Sequence, residues 1–293
     1  MVLPPGIGYD RTRVPAAPVA PPRGRHTSIG DLMHTSHSLF RRLRRNAGGL
    51  AAALVLAAAP AVAVETLPAY NSYQAVPFVV EGGGLGADLV AYLNEKLKGK
   101  YAFQITNLSR DKLNQTLDKD AAFKGIVLFL NPLFVDDKDK KKYHWTPGLM
   151  NDANAVVSLN SKKIEYVDTD SLKGLRFAGV LGNKYAGFED RFGKDIQREN
   201  ANEELSNLRK VASGKADVTI MPMSTYRYLL KQLGEQSPVR TTLYLSSKPH
   251  ARFERYIFSA SGDTALAGEL DAVVGAMRND PAWKRVAAKY GLD

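Results

Sequence analysis

An α/β fold in two similar units is predicted from three observations. Short apolar runs alternate with segments of helical spacing from residue 64 onward, and the alternation restarts near residue 175. The run at 126–130 is continuously apolar, as is the one at 155–159, which marks strands covered on both faces. Strand–helix alternation implies parallel sheets with helices on both faces. Two units of roughly 90 residues each imply two lobes.

Each element has its own warrant. Leu85, Leu89, Tyr92, Leu93 and Leu97 lie at helical spacing, and Gly99 is a fitting stop. Residues 101–107 alternate as a half-buried strand does. Ser109 is placed to cap a helix carrying Leu113 and Leu117. In the second unit, 175–180 reads as a strand and 203–211 as a helix with Leu205 and Leu208 inward. A strand follows at 216–221, then a helix capped by Ser224 and stopped by Gly234. Strands are expected at 239–245 and 252–258. Two helices close the chain at 264–277 and 281–290, with Pro281 suited to a first helical turn.

Composition narrows the class. With 293 residues and 44% apolar content, the chain can bury a sizeable core. The absence of cysteine excludes disulfides, thiolate metal ligands and a thiol nucleophile. The net charge of +10 is concentrated at one end. Residues 1–64 carry eight arginines against two aspartates, leaving +4 on the remainder, so no nucleic-acid partner is implied. The lysine-rich stretch 138–142 reads as a solvated loop.

The amino end reads as a targeting segment. Residues 1–32 have the Pro-, Arg- and Gly-rich composition of a disordered or untranslated extension, with Met33 as the expected start. Residues 33–63 then have the layout of a secretory signal peptide. Arg41, Arg42, Arg44 and Arg45 give the positive region, 47–59 the apolar region, and Ala61 and Ala63 the small residues for cleavage after Ala63. An apolar run of about 13 residues is too short to span a bilayer. An exported, periplasmic protein is expected.

The mature segment resembles the family 3 extracellular solute-binding proteins, the polar amino-acid-binding proteins of ABC importers. The resemblance rests on an ordered series of segments. They are Pro77-Phe78 with Gly84-Leu85-Gly86-Ala87-Asp88-Leu89; Tyr143-His144-Trp145-Thr146-Pro147; Asp170-Ser171-Leu172-Lys173-Gly174; Gly214-Lys215-Ala216-Asp217-Val218; and Asp280-Pro281-Ala282-Trp283 through Gly291-Leu292. It implies a two-lobed periplasmic-binding-protein fold of type II, each lobe a parallel-rich sheet flanked by helices, joined by a two-crossing hinge. Lobe 1 would comprise 65–158 plus 246–293 and lobe 2 would comprise 159–245, with the hinge near 159–161 and 246–247. It also implies a small-molecule ligand in the cleft, an ABC-transporter permease or membrane receptor as partner, and a monomer.

Candidate ligand-binding residues follow from the same positions: Tyr70, Tyr73 and Phe78 in the first loop, Asn131, Trp145, Gly182, Asn183, Lys184, Tyr185, Met223 and Ser224. Tyr70, Tyr73 and Phe78 either stack a ligand or pack the core. Asn131 faces the cleft or caps a turn, Trp145 lines the hinge or is structural, and Ser224 contacts ligand or caps a helix. The loop 182–185 is expected to lead into a helix start, where free N–H groups favour an anion. Three of the family's anchors are absent. The stretch after 126–130 has no arginine, residues 221–223 carry no charge, and Ala75 stands where a stacking aromatic is usual. The histidines and the Asp136, Asp137, Asp139 cluster lack metal-site spacing, and no cofactor is expected.

The leading expectation is therefore non-catalytic binding of a small polar metabolite, amino-acid-like or an organic acid, with hinge closure. Two alternatives stay open: a ligand-free partner or sensor protein, and a lyase resembling cyclohexadienyl dehydratase. For the lyase, Glu81 and Glu189 are the nearest candidate acids.

Overall fold

In the computed structural model, residues 64–293 are described, except 121, 186, 196 and 293. The extension expected at 1–32 and the signal peptide expected at 33–63 lie outside the described residues. No described helix is long and apolar enough to cross a membrane.

Two curled sheets share one long strand. In the first, β1 (Thr66–Asn71) lies between β2 (Ala102–Asn107) and β3 (Ile126–Leu130), all parallel, and β10 (Ala251–Ala260) joins β3 antiparallel. β4 (Tyr143–Trp145) adds to the far part of β10. In the second, β5 (Met150–Leu159) pairs antiparallel with β8 (Val218–Pro222), and β8 continues in parallel to β6 (Arg176–Val180) and β7 (Gln197–Ala201). The two meet where residues 150–154 of β5 run antiparallel to 251–255 of β10. These two strands are the longest described, at 10 residues each, because each contributes to its own lobe and to the junction.

Separate cores fill the two lobes. α1 (Leu85–Lys96), α7 (Thr264–Met277) and α8 (Pro281–Lys289) pack Leu85, Leu89, Leu93, Leu270, Val274 and Trp283 against Ile126, Leu128 and Ile257. On the other face of this sheet, α2 (Arg110–Lys119) lays Leu113 and Leu117 near Val127, Trp145 and Phe258. In the second lobe, α4 (Glu204–Ala212) and α5 (Met223–Leu233) bring Leu208 and Leu229 against Val157 and Met221, while Phe188 of α3 (Phe188–Phe192) packs with Phe177 and Val156.

Several expectations change in detail. The segment 239–245 is not one strand: α6 (Pro238–Thr242) precedes the short β9 (Leu243–Leu245). Pro238 occupies the first helical turn, and the Thr242 hydroxyl donates back to the Pro238 carbonyl at 2.9 Å, so local chemistry favours the helix. Ser224 does not cap α5; Pro222 holds that position, and Ser224 is turned to another partner described below. No helix starts at 182–185. The next helix, α3, has five residues and begins at Phe188 after Gly187 in the left-handed region. Strands β1 and β7 are further elements that the alternation did not single out.

Candidate functional site

The parallel strands β1, β2 and β3 end on the same side of their sheet, as the carboxyl ends of a parallel set must, and ligands of open α/β sheets bind there. At the end of β1, Asn71 is fully buried. Its amide donates to the Tyr73 carbonyl at 3.0 Å and to Asn107 Oδ1 at 2.8 Å, while its oxygen accepts from Tyr73 N–H at 3.1 Å. This Asx turn sets the loop through Ser72 and Tyr73 and ties it to the end of β2. At the end of β2, the Ser109 hydroxyl accepts from Lys112 N–H, which makes Arg110 the first residue of α2.

β3 ends in a bulge. Its pairing with β10 slips between Tyr256 and Ile257, which face Leu130 and Leu128, and leaves Phe129 as the extra residue at φ 65°. A β-region backbone would aim the Phe129 carbonyl along the ladder. The left-handed turn aims it at Arg255, whose Nη1 donates to it at 3.1 Å.

Arg255 rises from β10 into the lobe junction, 1% exposed. Its guanidinium sits 4.3 Å from the ring centre of Tyr73, 4.7 Å from Phe78 and 5.0 Å from Phe253. Nε donates to Asp152 Oδ2 of β5 at 2.8 Å. Asp152 also accepts the Ser224 hydroxyl at 2.7 Å and the Ser224 and Ala153 N–H groups at 3.1 and 2.8 Å. A second polar link spans the junction, from the Thr225 hydroxyl to the Val76 carbonyl at 2.6 Å. Burial acts to lower the Arg255 pKa, but Tyr73 and Asp152 more than offset it and hold the guanidinium charged.

Arg110 is the other cation here. Burial lowers its pKa, the Tyr73 phenol opposes the fall, and the Arg255 charge adds to it. Its Nη1 is buried with no hydrogen-bond partner in the protein, and so is the Ser72 hydroxyl. Among the described residues, no carboxylate is ion-paired with Arg110.

The residues expected from sequence divide into three groups. Tyr73 and Phe78 meet at this cluster, with ring centres 4.9 Å apart; Phe78 is a core residue at 1% exposure, and Tyr73 is half-buried. Met223 and Ser224 border the junction from α5, Ser224 through Asp152. The second group is held elsewhere. Tyr70 packs edge-on to Phe123. Asn131 spends its side chain on Leu133 N–H and the Glu254 carbonyl. The Trp145 indole donates to Asp137 at 2.7 Å and stacks on Phe258. Asp137 also accepts N–H groups of Lys141, Lys142 and Tyr143, which leaves it committed to the lysine-rich loop. The third group is the loop Gly182, Asn183 and Lys184, exposed in lobe 2; Tyr185, which follows, is buried, packs on Phe177 and accepts Val180 N–H at its hydroxyl.

Sequence reasoning did not single out Ser72, Arg110, Asp152 or Arg255. Two signals were present. Arg255 is a charged residue inside the strand expected at 252–258, and a buried charge needs a partner. Arg110 directly follows a helix cap at a strand's carboxyl end.

Comparison with known proteins bears on the fold. No family model matches the chain, and no curated protein does. Solved structures match at low identity. An ancestral arginine-binding protein bound to glutamine is 15% identical, over 78% of this chain and 98% of its own, with a TM-score of 0.55. A putative binding component of an ABC transporter from Wolinella succinogenes, complexed with lysine, is 13% identical over 78% and 96%, with a TM-score of 0.59. The ancestral amino-acid-binding protein AncCDT-1, a precursor of cyclohexadienyl dehydratase, is 15% identical over 77% and 95%, with a TM-score of 0.56. With two sheets, two cores and one long strand common to both sheets, the chain has the two-lobed α/β fold of these binding proteins.

Proposed function

We propose that this protein binds a small carboxylate-bearing solute, without catalysis, where β1, β2 and β3 end, and that Arg110 anchors the carboxylate. The observation that carries this reading is the buried Arg110 Nη1 with no partner in the protein, next to the Tyr73 ring and the second cation Arg255. Leaving a buried donor unsatisfied costs roughly 1–3 kcal/mol. A carboxylate is the group whose geometry answers a guanidinium in bidentate fashion. The unpartnered Ser72 hydroxyl offers a further contact, and the exposed loop 182–184 of lobe 2 would meet the solute from the opposite side on closure. β5 and β10 would act as the hinge, with the solute binding the closed arrangement better than the open one. Export through the signal peptide expected at 33–63 and delivery of the solute to an ABC importer complete the proposal.

Binding is favoured over the lyase alternative by the placement of the candidate acids. Glu81 stands exposed in the turn between Val80 and Gly83. Glu189 accepts Tyr185 N–H and pairs with Arg198 at 2.8 Å. Neither approaches Arg110 through any described contact.

Thermal unfolding of the protein against amino acids, monocarboxylates, dicarboxylates and polyamines tests the proposal. A ligand at about 100 times its dissociation constant adds roughly 2.7 kcal/mol of stability. Carboxylates are expected to stabilise the wild type and to lose that effect in Arg110→Gln. Stabilisation by polyamines alone, or by carboxylates equally in both proteins, would overturn it.

A further inference from the structure

A cavity lined by none of Ser72, Tyr73 and Arg110 opens beside Asp152 and Ser224. It has a volume of about 700 Å³ and is bounded by the start of β5, by α5 and by α8 with the segment after it. Pockets of roughly 300–1,000 Å³ suit small organic molecules. Much of the wall is apolar: Leu149 and Met150 lie at the entry to β5, Met223 in α5, and Trp283, Ala287 and Leu292 in the carboxyl-terminal segment, with Asn151 and Ser224 as neutral polar neighbours.

Its charges are mostly of one sign. Arg227, Arg278 and Lys284 line it, and the single carboxylate, Asp152, has a side chain only 1% exposed. Asp152 is already saturated by Arg255, Ser224 and Ala153, as described above. Arg278 is held by Glu254 Oε1 at 2.6 Å and the Gly148 carbonyl at 3.2 Å. Arg227 and Lys284 have no ion pair among the described residues. An apolar chamber with two uncommitted cations fits a molecule with an apolar body and one anionic head.

From this we infer that the cavity between α5 and α8 is a second ligand site, distinct from the cleft, for a small amphipathic monocarboxylate such as an aliphatic or aromatic acid. Arg227 and Lys284 hold the head, while Leu149, Met223 and Trp283 hold the body. The two walls belong to different lobes, since α5 packs in the second core and Trp283 in the first. Lys231 of α5 already donates to the Ala288 carbonyl at 2.7 Å across the same seam. An occupant therefore bridges the lobes beside the pair Asp152–Ser224. The inference does not depend on what the cleft binds.

Equilibrium dialysis with radiolabelled octanoate tests it, with octanol and octylamine as competitors. Octanoate is expected to bind the wild-type protein saturably, and neither competitor is expected to displace it at equal concentration. The exposed double change Arg227→Gln with Lys284→Gln is expected to weaken binding at least about tenfold. Ala288→Phe, which fills the chamber, is expected to abolish it, and Arg110→Gln is expected to leave it unchanged. Circular dichroism and thermal unfolding of each variant identify any that fails to fold. Absence of octanoate binding, equal competition by octanol, or loss in Arg110→Gln with retention in the double variant would each overturn the proposal.

Discussion

Arg255 and Asp152 are paired at 2.8 Å, with both side chains 1% exposed, in the two strands that join the lobes. Neither charge has access to water, so each depends on the other and on a ring of fixed partners. The guanidinium is enclosed by Tyr73, Phe78 and Phe253 and reaches the bulged Phe129 carbonyl. The carboxylate takes both Ser224 donors. Residues of β5, β10, the first loop and α5 are thereby fixed together at one point.

Removing one member of this pair strands the other. Asp152→Ala is expected to cost about 3–5 kcal/mol, the penalty of an uncompensated buried charge. Changing both, as Asp152→Ala with Arg255→Met, is expected to cost less than the sum of the two single changes. Urea unfolding of the four proteins measures the coupling. Additive single costs would show that the pair acts independently of its partner.

Glu204 sets a pH dependence. It is buried at the start of α4, and burial raises its pKa to about 7, with Asn207 opposing the rise. The unfolded chain ionises near the ordinary 4.5. Between these values the folded state holds a proton that the unfolded state has released. Stability is therefore expected to fall as pH rises from 4.5 to 7, by about 3 kcal/mol from this group, and then to level off. Glu204→Gln is expected to lack that slope. Chemical unfolding of both proteins across the window, compared as a difference, checks it.

Asp217 organises the entry to β6. It accepts the Arg176 backbone N–H at 2.9 Å, grips the Arg176 guanidinium at 3.0 and 2.9 Å, and pairs with Lys162. Arg176, ahead of Lys162, holds its carboxyl below the ordinary range against the opposing effect of burial. The stability it supplies is present above the ordinary carboxylate pKa and is lost only as pH falls through the depressed value. Asp217→Asn is expected to destabilise by roughly 1–3 kcal/mol at neutral pH. Thermal unfolding at pH 7 against the wild type measures this.

Two glycines separate backbone strain from steric exclusion. Gly125 enters β3 at φ 90°, and a Cβ there would stand 2.0 Å from the Pro68 carbonyl oxygen of β1. Gly99 has φ 82° with open space around it. Gly99→Ala is expected to cost about 1 kcal/mol from backbone strain. Gly125→Ala, which must also push β1 and β3 apart, is expected to cost at least twice that. Equal midpoint shifts in urea would refute the steric account.

Local chemistry was readable wherever neighbours in sequence are also partners in space. Ser109 caps its helix as the spacing implied, and the apolar run at 126–130 is a strand buried at every residue. The misread segments are those where a short-range competitor or a distant partner prevails. Pro238 with Thr242 converts half of an expected strand into helix. Ser224, an apparent cap, is drawn instead to Asp152, 72 residues away. Asn131 and Trp145 give polar atoms to the Glu254 carbonyl and to Asp137, 123 and 8 residues away.

Hydrophobic periodicity by itself determined that this chain is α/β, that the pattern occurs twice, and where most elements lie, because that signal is carried by residues two, three or four positions apart. The site is set by contacts over far greater separations. Arg255 meets Tyr73, Phe129 and Asp152 only after β10 has crossed from one sheet to the other. Arg110 becomes a half-buried cation with an unpartnered Nη1 only when the Asn71 turn sets the Tyr73 loop beside it. The cost of burying a charge depends on what surrounds it in space, and that was decided by the tertiary structure.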